Sequence, residues 1–124
     1  MTDQGPMTWP AAEAPSYRIT ELEGVPLDGP VEVSVRARSA AMLVLEVRMP
    51  AGSASNLHRH AVDSTGYVIS GRVQGWLDGE EALLVAGDTF VHPAGVQHRV
   101  AALEDSHWIE IKSPPEFPFD VTQG

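Results

Sequence analysis

Short blocks of the chain alternate apolar and polar residues with a period of two. Val31-Glu-Val-Ser-Val-Arg36 alternates strictly, and the block from Met42 to Met49 puts Leu45, Val47 and Met49 on one face and Glu46 and Arg48 on the other. Successive strand side chains point to opposite sides, so this pattern predicts strands with one buried and one wet face. Tyr67–Ser70, Arg72–Leu77, Ala82–Val85, Thr89–His92 and His107–Lys112 continue it. Between the blocks stand turn signals: Pro50-Ala-Gly52, Ser70-Gly71, Asp78-Gly79, Ala86-Gly-Asp88 and Pro93-Ala-Gly95. No long segment shows a capped, amphipathic helical repeat. About nine short strands at this spacing predict an all-β fold, an antiparallel sandwich or barrel.

Residues 1–16 contain Pro6, Pro10 and Pro15 among small and polar residues and read as a loose N-terminal arm. Trp9 could anchor that arm to the core or to a neighbouring subunit. Residues 17–124 then form one barrel domain, because 124 residues suffice for a single hydrophobic core and not for two. The prolines of Ser113-Pro-Pro-Glu-Phe-Pro-Phe119 cannot donate to a ladder, so the tail cannot extend a central strand. Phe117 and Phe119 are expected to pack across the outside of the barrel.

Composition narrows the chemistry. The chain has no cysteine, which removes disulfides, thiolate nucleophiles and thiolate metal sites. Any metal must be held by His, Asp, Glu, Gln or water. A net charge of −9, from 17 acidic against 8 basic residues, repels phosphate backbones and anionic lipid. Neither nucleic acid nor a membrane is therefore expected as a partner. There is no charged-then-apolar leader at the N-terminus and no membrane-length apolar run, so a cytoplasmic location is expected.

Four of the five histidines fall between residues 58 and 98, two of them as His58-Arg-His60. On a strand this spacing points both imidazoles to the same side, half of a coordination sphere for a first-row divalent ion. The surrounding frame is more specific. Gly52 precedes His58-x-His60 by five residues, and Gly71 follows; later come Gly87, five residues, Pro93-x-Gly95 and His98. This frame resembles the two motifs of the cupin superfamily, Gly-x5-His-x-His-x3or4-Glu-x6-Gly and Gly-x5-Pro-x-Gly-x2-His-x3-Asn. Fifteen residues separate the motifs here, and the resemblance spans about residues 42 to 115.

The resemblance implies an antiparallel jelly-roll barrel holding one divalent transition metal on His58, His60 and His98, with Fe(II) favoured and Zn, Ni or Mn as alternatives. The motif glutamate, the family's fourth ligand, falls on Ser64, and the motif asparagine falls on Ala102. Serine is a poor ligand, and the neighbouring Asp63 would need a bulge to face inward. The implied site is a three-histidine centre with open positions for water, substrate or dioxygen. His92, just before Pro93, is a candidate general base or extra ligand. Tyr67, Trp76, Phe90 and Trp108 read as core or pocket-lining residues. Gln97 reads as a solvated loop residue and Asp88 as a turn residue.

Three functions follow from the resemblance. The first is an iron dioxygenase acting on a small organic substrate. The second is a redox-neutral cyclase or isomerase, since Gly66–Arg72, Ala101–Ser106 and Ser113–Pro115 are similar to small cupins associated with aromatic polyketide cyclisation. The third is a ligand-binding barrel without chemistry. Small cupins commonly pair, so a homodimer is expected, the N-terminal segment being able to cross to the partner.

Overall fold

The alternating blocks become strands, and several run farther than their periodicity marks. The structure, a computed structural model, describes residues 7–116. Its elements are β1 (Met7–Thr8), a 3-10 turn (Ala11–Glu13), β2 (Ser16–Leu22), β3 (Val25–Arg38), β4 (Leu43–Met49), β5 (Asp63–Ser70), β6 (Arg72–Leu77), β7 (Glu80–Val85), β8 (Thr89–His92), β9 (His98–Ala102) and β10 (Ser106–Ser113). β2 and β9 lack a clean alternation and were not marked as separate strands by the sequence pattern. β3 runs through Pro26, Gly29 and Pro30. The mid-strand prolines are tolerated there because that stretch pairs with β2 and, through Asp28 alone, with Ala54, so neither proline is needed as a donor.

All pairings are antiparallel. One sheet has the order β1-β3-β4-β10-β5-β8, with β2 also on β3, and the smaller sheet has the order β7-β6-β9. Isolated bridges Ala54↔Ala101 and His58↔His98 tie the loop after β4 onto β9, joining the two sheets at one end. Among the described residues no helix is long and apolar enough to cross a membrane.

The core fills from inward positions spaced by two: Val31, Val33 and Val35 on β3, and Leu43, Leu45, Val47 and Met49 on β4. Ile19, Val68, Val73, Ala102 and Trp108 complete it. Each such side chain except Ala102 contributes about 1.5–3 kcal/mol on leaving water. The β5–β6 turn requires its glycine: Gly71 has φ +98°, and a Cβ there would meet the Asp105 carbonyl at 2.6 Å.

The segment expected to be a loose arm is, from Met7 onward, tied to β3 of the same chain. Met7 and Thr8 pair with Arg38 and Ala37, the Trp9 N–H donates to the Arg36 carbonyl at 3.1 Å, and the Val35 N–H donates to the Pro15 carbonyl at 2.9 Å. Trp9 packs against this chain's own core. The prolines do not prevent this, because an edge segment can satisfy its partner through carbonyls alone. Phe117 and Phe119 lie outside the described residues.

Strand β10 sets the chemistry of the interior. Its partners across β4 are Val47 for Trp108, Leu45 for Glu110 and Leu43 for Lys112, all core residues. Directly paired residues share a face, so Trp108, Glu110 and Lys112 point into the barrel, and Ile109 and Ile111 point out. A strand with charges inside and isoleucines outside breaks the usual burial pattern, and such breaks concentrate at functional sites.

Candidate metal centre

His58 and His98 face each other across a bridge in which the His58 N–H donates to the His98 carbonyl at 3.1 Å and the His98 N–H donates back at 2.9 Å. His60 lies two residues on, and its carbonyl accepts from the Gly95 N–H at 2.8 Å. The Pro93-x-Gly95 turn thus clamps one motif onto the other. Ring centroids lie 4.7 Å apart for His58 and His60, 4.3 Å for His58 and His98, and 4.9 Å for His60 and His98. One potential ligand atom from each falls within 4.8 Å of the others.

The second nitrogen of each ring is engaged away from that point. His58 Nδ1 donates to the Asn56 carbonyl at 2.7 Å, and His98 Nδ1 donates to the Val96 carbonyl at 3.3 Å. His60 Nδ1 meets the Glu23 carboxylate at 2.9 Å. A carbonyl only accepts, so Nδ1 carries the proton and Nε2 keeps its lone pair for the centre. Burial lowers the pKa of all three rings, with the Lys112 ammonium adding to it at His58 and His60 and the neighbouring imidazoles adding to it at His98, which falls to about 2. Three neutral imidazoles with inward lone pairs are the donor set that a borderline divalent ion takes. The residues present could therefore hold such an ion.

His92 on β8 stacks on His98, with centroids 3.8 Å apart and planes 15° from parallel. Burial lowers its pKa to about 4. Neither of its ring nitrogens has a hydrogen bond among the described residues. His107 points outward instead, its Nε2 bonded to Glu46 at 2.6 Å.

Neither acidic-motif substitute reaches the centre. Asp63 turns outward, where its carboxylate accepts from the Ala94 N–H at 2.8 Å. Ser64 turns inward and is buried, but its hydroxyl accepts from the Lys112 ammonium at 2.8 Å. Lys112 also pairs with Glu110 at 3.0 Å, and the other Glu110 oxygen accepts from the Trp108 indole N–H at 3.0 Å. Burial alone would raise the Glu110 pKa, yet the Lys112 ammonium, the indole N–H and His92 outweigh it and hold the carboxyl at about 2.

Sequence reasoning missed Glu23, Glu110 and Lys112. Glu23 sits in the β2–β3 turn with φ +52° and meets His60 only through the fold. For the other two a signal existed: Glu110 and Lys112 alternate with Trp108, which reads as a core or pocket-lining residue, and so share its face. Of the aromatics, Phe90 and Trp108 line the pocket, with Ile19, Leu45 and Val100 among its apolar walls. Tyr67 does not; it is 51% exposed, because the phase that buries Ser64, Gly66 and Val68 turns it out. Trp76 lies on the small sheet beneath the Arg99 guanidinium, 4.3 Å from its centroid. Gln97 is exposed, and the Asp88 carboxylate accepts from the Val85 N–H at 2.9 Å.

The family model described as a cupin domain matches residues 45–112. The chain is a cupin. KdgF from Halomonas sp. is 32% identical, with the match covering 69% of this cupin and 82% of that chain at a TM-score of 0.67. A predicted oxalate decarboxylase from Thermotoga maritima is 22% identical, covering 86% and 98% of the two chains at a TM-score of 0.73. Salicylate 1,2-dioxygenase from Pseudoaminobacter salicylatoxidans is 20% identical, covering 60% of this cupin and 21% of that chain at a TM-score of 0.58. The last two likenesses show the fold alone. No curated protein matches this cupin.

Proposed function

We propose that this cupin is a metal-dependent enzyme that moves a proton on a small organic substrate, an isomerase or cyclase in reaction class. The observation that carries the reading is four converging imidazoles in two roles. His58, His60 and His98 have their Nδ1 atoms bonded outward, whereas His92 lies against His98 with its nitrogens unclaimed among the described residues. A divalent ion on the three rings would supply Lewis acidity, polarising a carbonyl or hydroxyl oxygen. His92 takes the proton of the adjacent carbon or oxygen and returns it, as a neutral imidazole can. Trp108 and Phe90 exclude water from the inner wall, and Glu110 stays ionised beside the centre.

The test uses zinc-loaded protein without oxygen. Turnover of a ketonic or enolic substrate should persist there, and His92→Gln should lower kcat by about 10²–10⁴-fold with metal content unchanged. An all-imidazole donor set with open positions also suits the iron(II) dioxygenase reading. Oxygen consumption that requires iron, with no anaerobic turnover, would replace the first reading with that one. A protein that takes up no zinc, iron, nickel or manganese would end both and leave a ligand-binding barrel.

We also propose that it pairs as a homodimer. Tyr67, Ile69 and Val91 are 51%, 42% and 52% exposed on the outer face of β5 and β8, the side toward which Ile109 and Ile111 point. An apolar sheet face of this kind supports pairing with a second copy. Light scattering at the monomer mass would refute it.

A further inference from the structure

Lys112 is the least expected group in the interior. It is 1% exposed, on a strand whose outward positions could have carried it at no cost. Removing an ammonium from water costs several kcal/mol, and packing gains nothing from it that a methionine would not supply. Two of its three donors are used, one on Ser64 Oγ at 2.8 Å and one on Glu110 at 3.0 Å. The third has no partner among the described residues. Ser64 and Glu110 lie on different strands, and Ser64 pairs directly with Lys112 in the β5–β10 register, so the ammonium is fixed from two sides. Its site adjoins His58, His60 and His98 in a cavity that is otherwise mostly apolar.

We propose that Lys112 is the anion-recognition group of this pocket, and that the substrate is a small organic acid with a compact apolar body whose carboxylate takes the free Lys112 donor. The proposal rests on the metal-dependent reading of the same site. Charge supports it. Lys112 and Glu110 cancel, the three histidines are neutral, and position 64 supplies no ligand carboxylate. With the Glu23 carboxylate on His60 offsetting one charge, a divalent ion there would leave a net charge of one in the site, which a substrate carboxylate cancels. A neutral ligand leaves that charge in place, and although its carbonyl oxygen can accept the third N–H, it makes the weaker bond of a neutral acceptor, which is what discriminates against it.

The experiment compares isobutyrate with its neutral isostere isobutyramide on zinc-loaded protein, followed by the NMR cross-peak of the Trp108 indole N–H. Wild type should bind isobutyrate at least about tenfold tighter than isobutyramide. Lys112→Met should reduce that ratio by about tenfold, and Lys112→Arg should keep most of it. Because Lys112→Met strands Glu110, the double variant Lys112→Met/Glu110→Gln is measured too. It leaves the net charge of the pocket unchanged and should show the same reduced ratio. An unchanged ratio in the double variant overturns the proposal, since the carboxylate would then be read by something other than Lys112. Zinc stoichiometry separates the two levels. If wild type takes up no zinc, the metal-dependent reading fails, and the same ratio on metal-free protein still decides the role of Lys112.

Discussion

Placing a glutamate at position 64 restores the residue that the cupin motif carries there, and sequence alone predicts tighter metal binding. The structure changes the expected size. The Ser64 hydroxyl is 2.8 Å from the Lys112 Nζ, whereas Ser64 is absent from the lining of the pocket that Lys112 faces. A new carboxylate would meet the ammonium before the histidines. A hydrogen bond between two charged groups in a buried site contributes about 1.5–3 kcal/mol, a factor of roughly 10–150 in competition with the ion. Ser64→Glu alone should therefore tighten zinc binding by no more than about threefold. The same change in a Lys112→Met background, where nothing holds the carboxylate back, should tighten it by about 30-fold or more over Lys112→Met alone. Competition against a fluorescent zinc chelator reads both. A large gain in the single variant would show that Lys112 does not command position 64. No gain in either background would show that a side chain at 64 does not reach the histidines.

Three other outcomes are expected. Glu23→Ala should weaken zinc affinity by about tenfold, the lower end for a carboxylate bonded to a ligand histidine, since Glu23 is 34% exposed; the same chelator competition checks it, and unchanged affinity would refute the role. Glu46 is held below its ordinary pKa of 4.5: burial opposes this, but His107, Arg36 and Arg48 prevail. Its stabilisation is thus present above the carboxylate range and lost as pH falls through the lowered value. Urea denaturation should show Glu46→Gln less stable by about 1 kcal/mol at neutral pH, a gap that closes in acid below 4.5. Gly66 faces Phe90, and a Cβ there would run into the ring, so Gly66→Ala should cost about 1–3 kcal/mol in thermal or urea unfolding. Wild-type stability in that variant would mean the ring moves freely, which its contacts with His92 and Trp108 argue against.

Much of this protein is written locally. Alternation that is strict in Val31–Arg36 and holds from Leu45 to Met49 determines strands, because a side-chain period of two suits no other regular element. The Gly–Pro–His frame determines the turns that bring His58, His60 and His98 together, since the bridge between His58 and His98 and the Gly95 N–H on His60 both follow from its spacing. What alternation cannot determine is which of its two faces looks inward. On β4 apolarity answers correctly, but β10 carries apolar residues on both faces, Trp108 on one and Ile109 and Ile111 on the other, and the register against Leu43, Leu45 and Val47 puts Lys112, Glu110 and Trp108 inside. The contact of Glu23 with His60 spans 37 residues and leaves no periodic trace. The three histidines are thus legible in the sequence, whereas the lysine–glutamate pair beside them is decided by how neighbouring strands align.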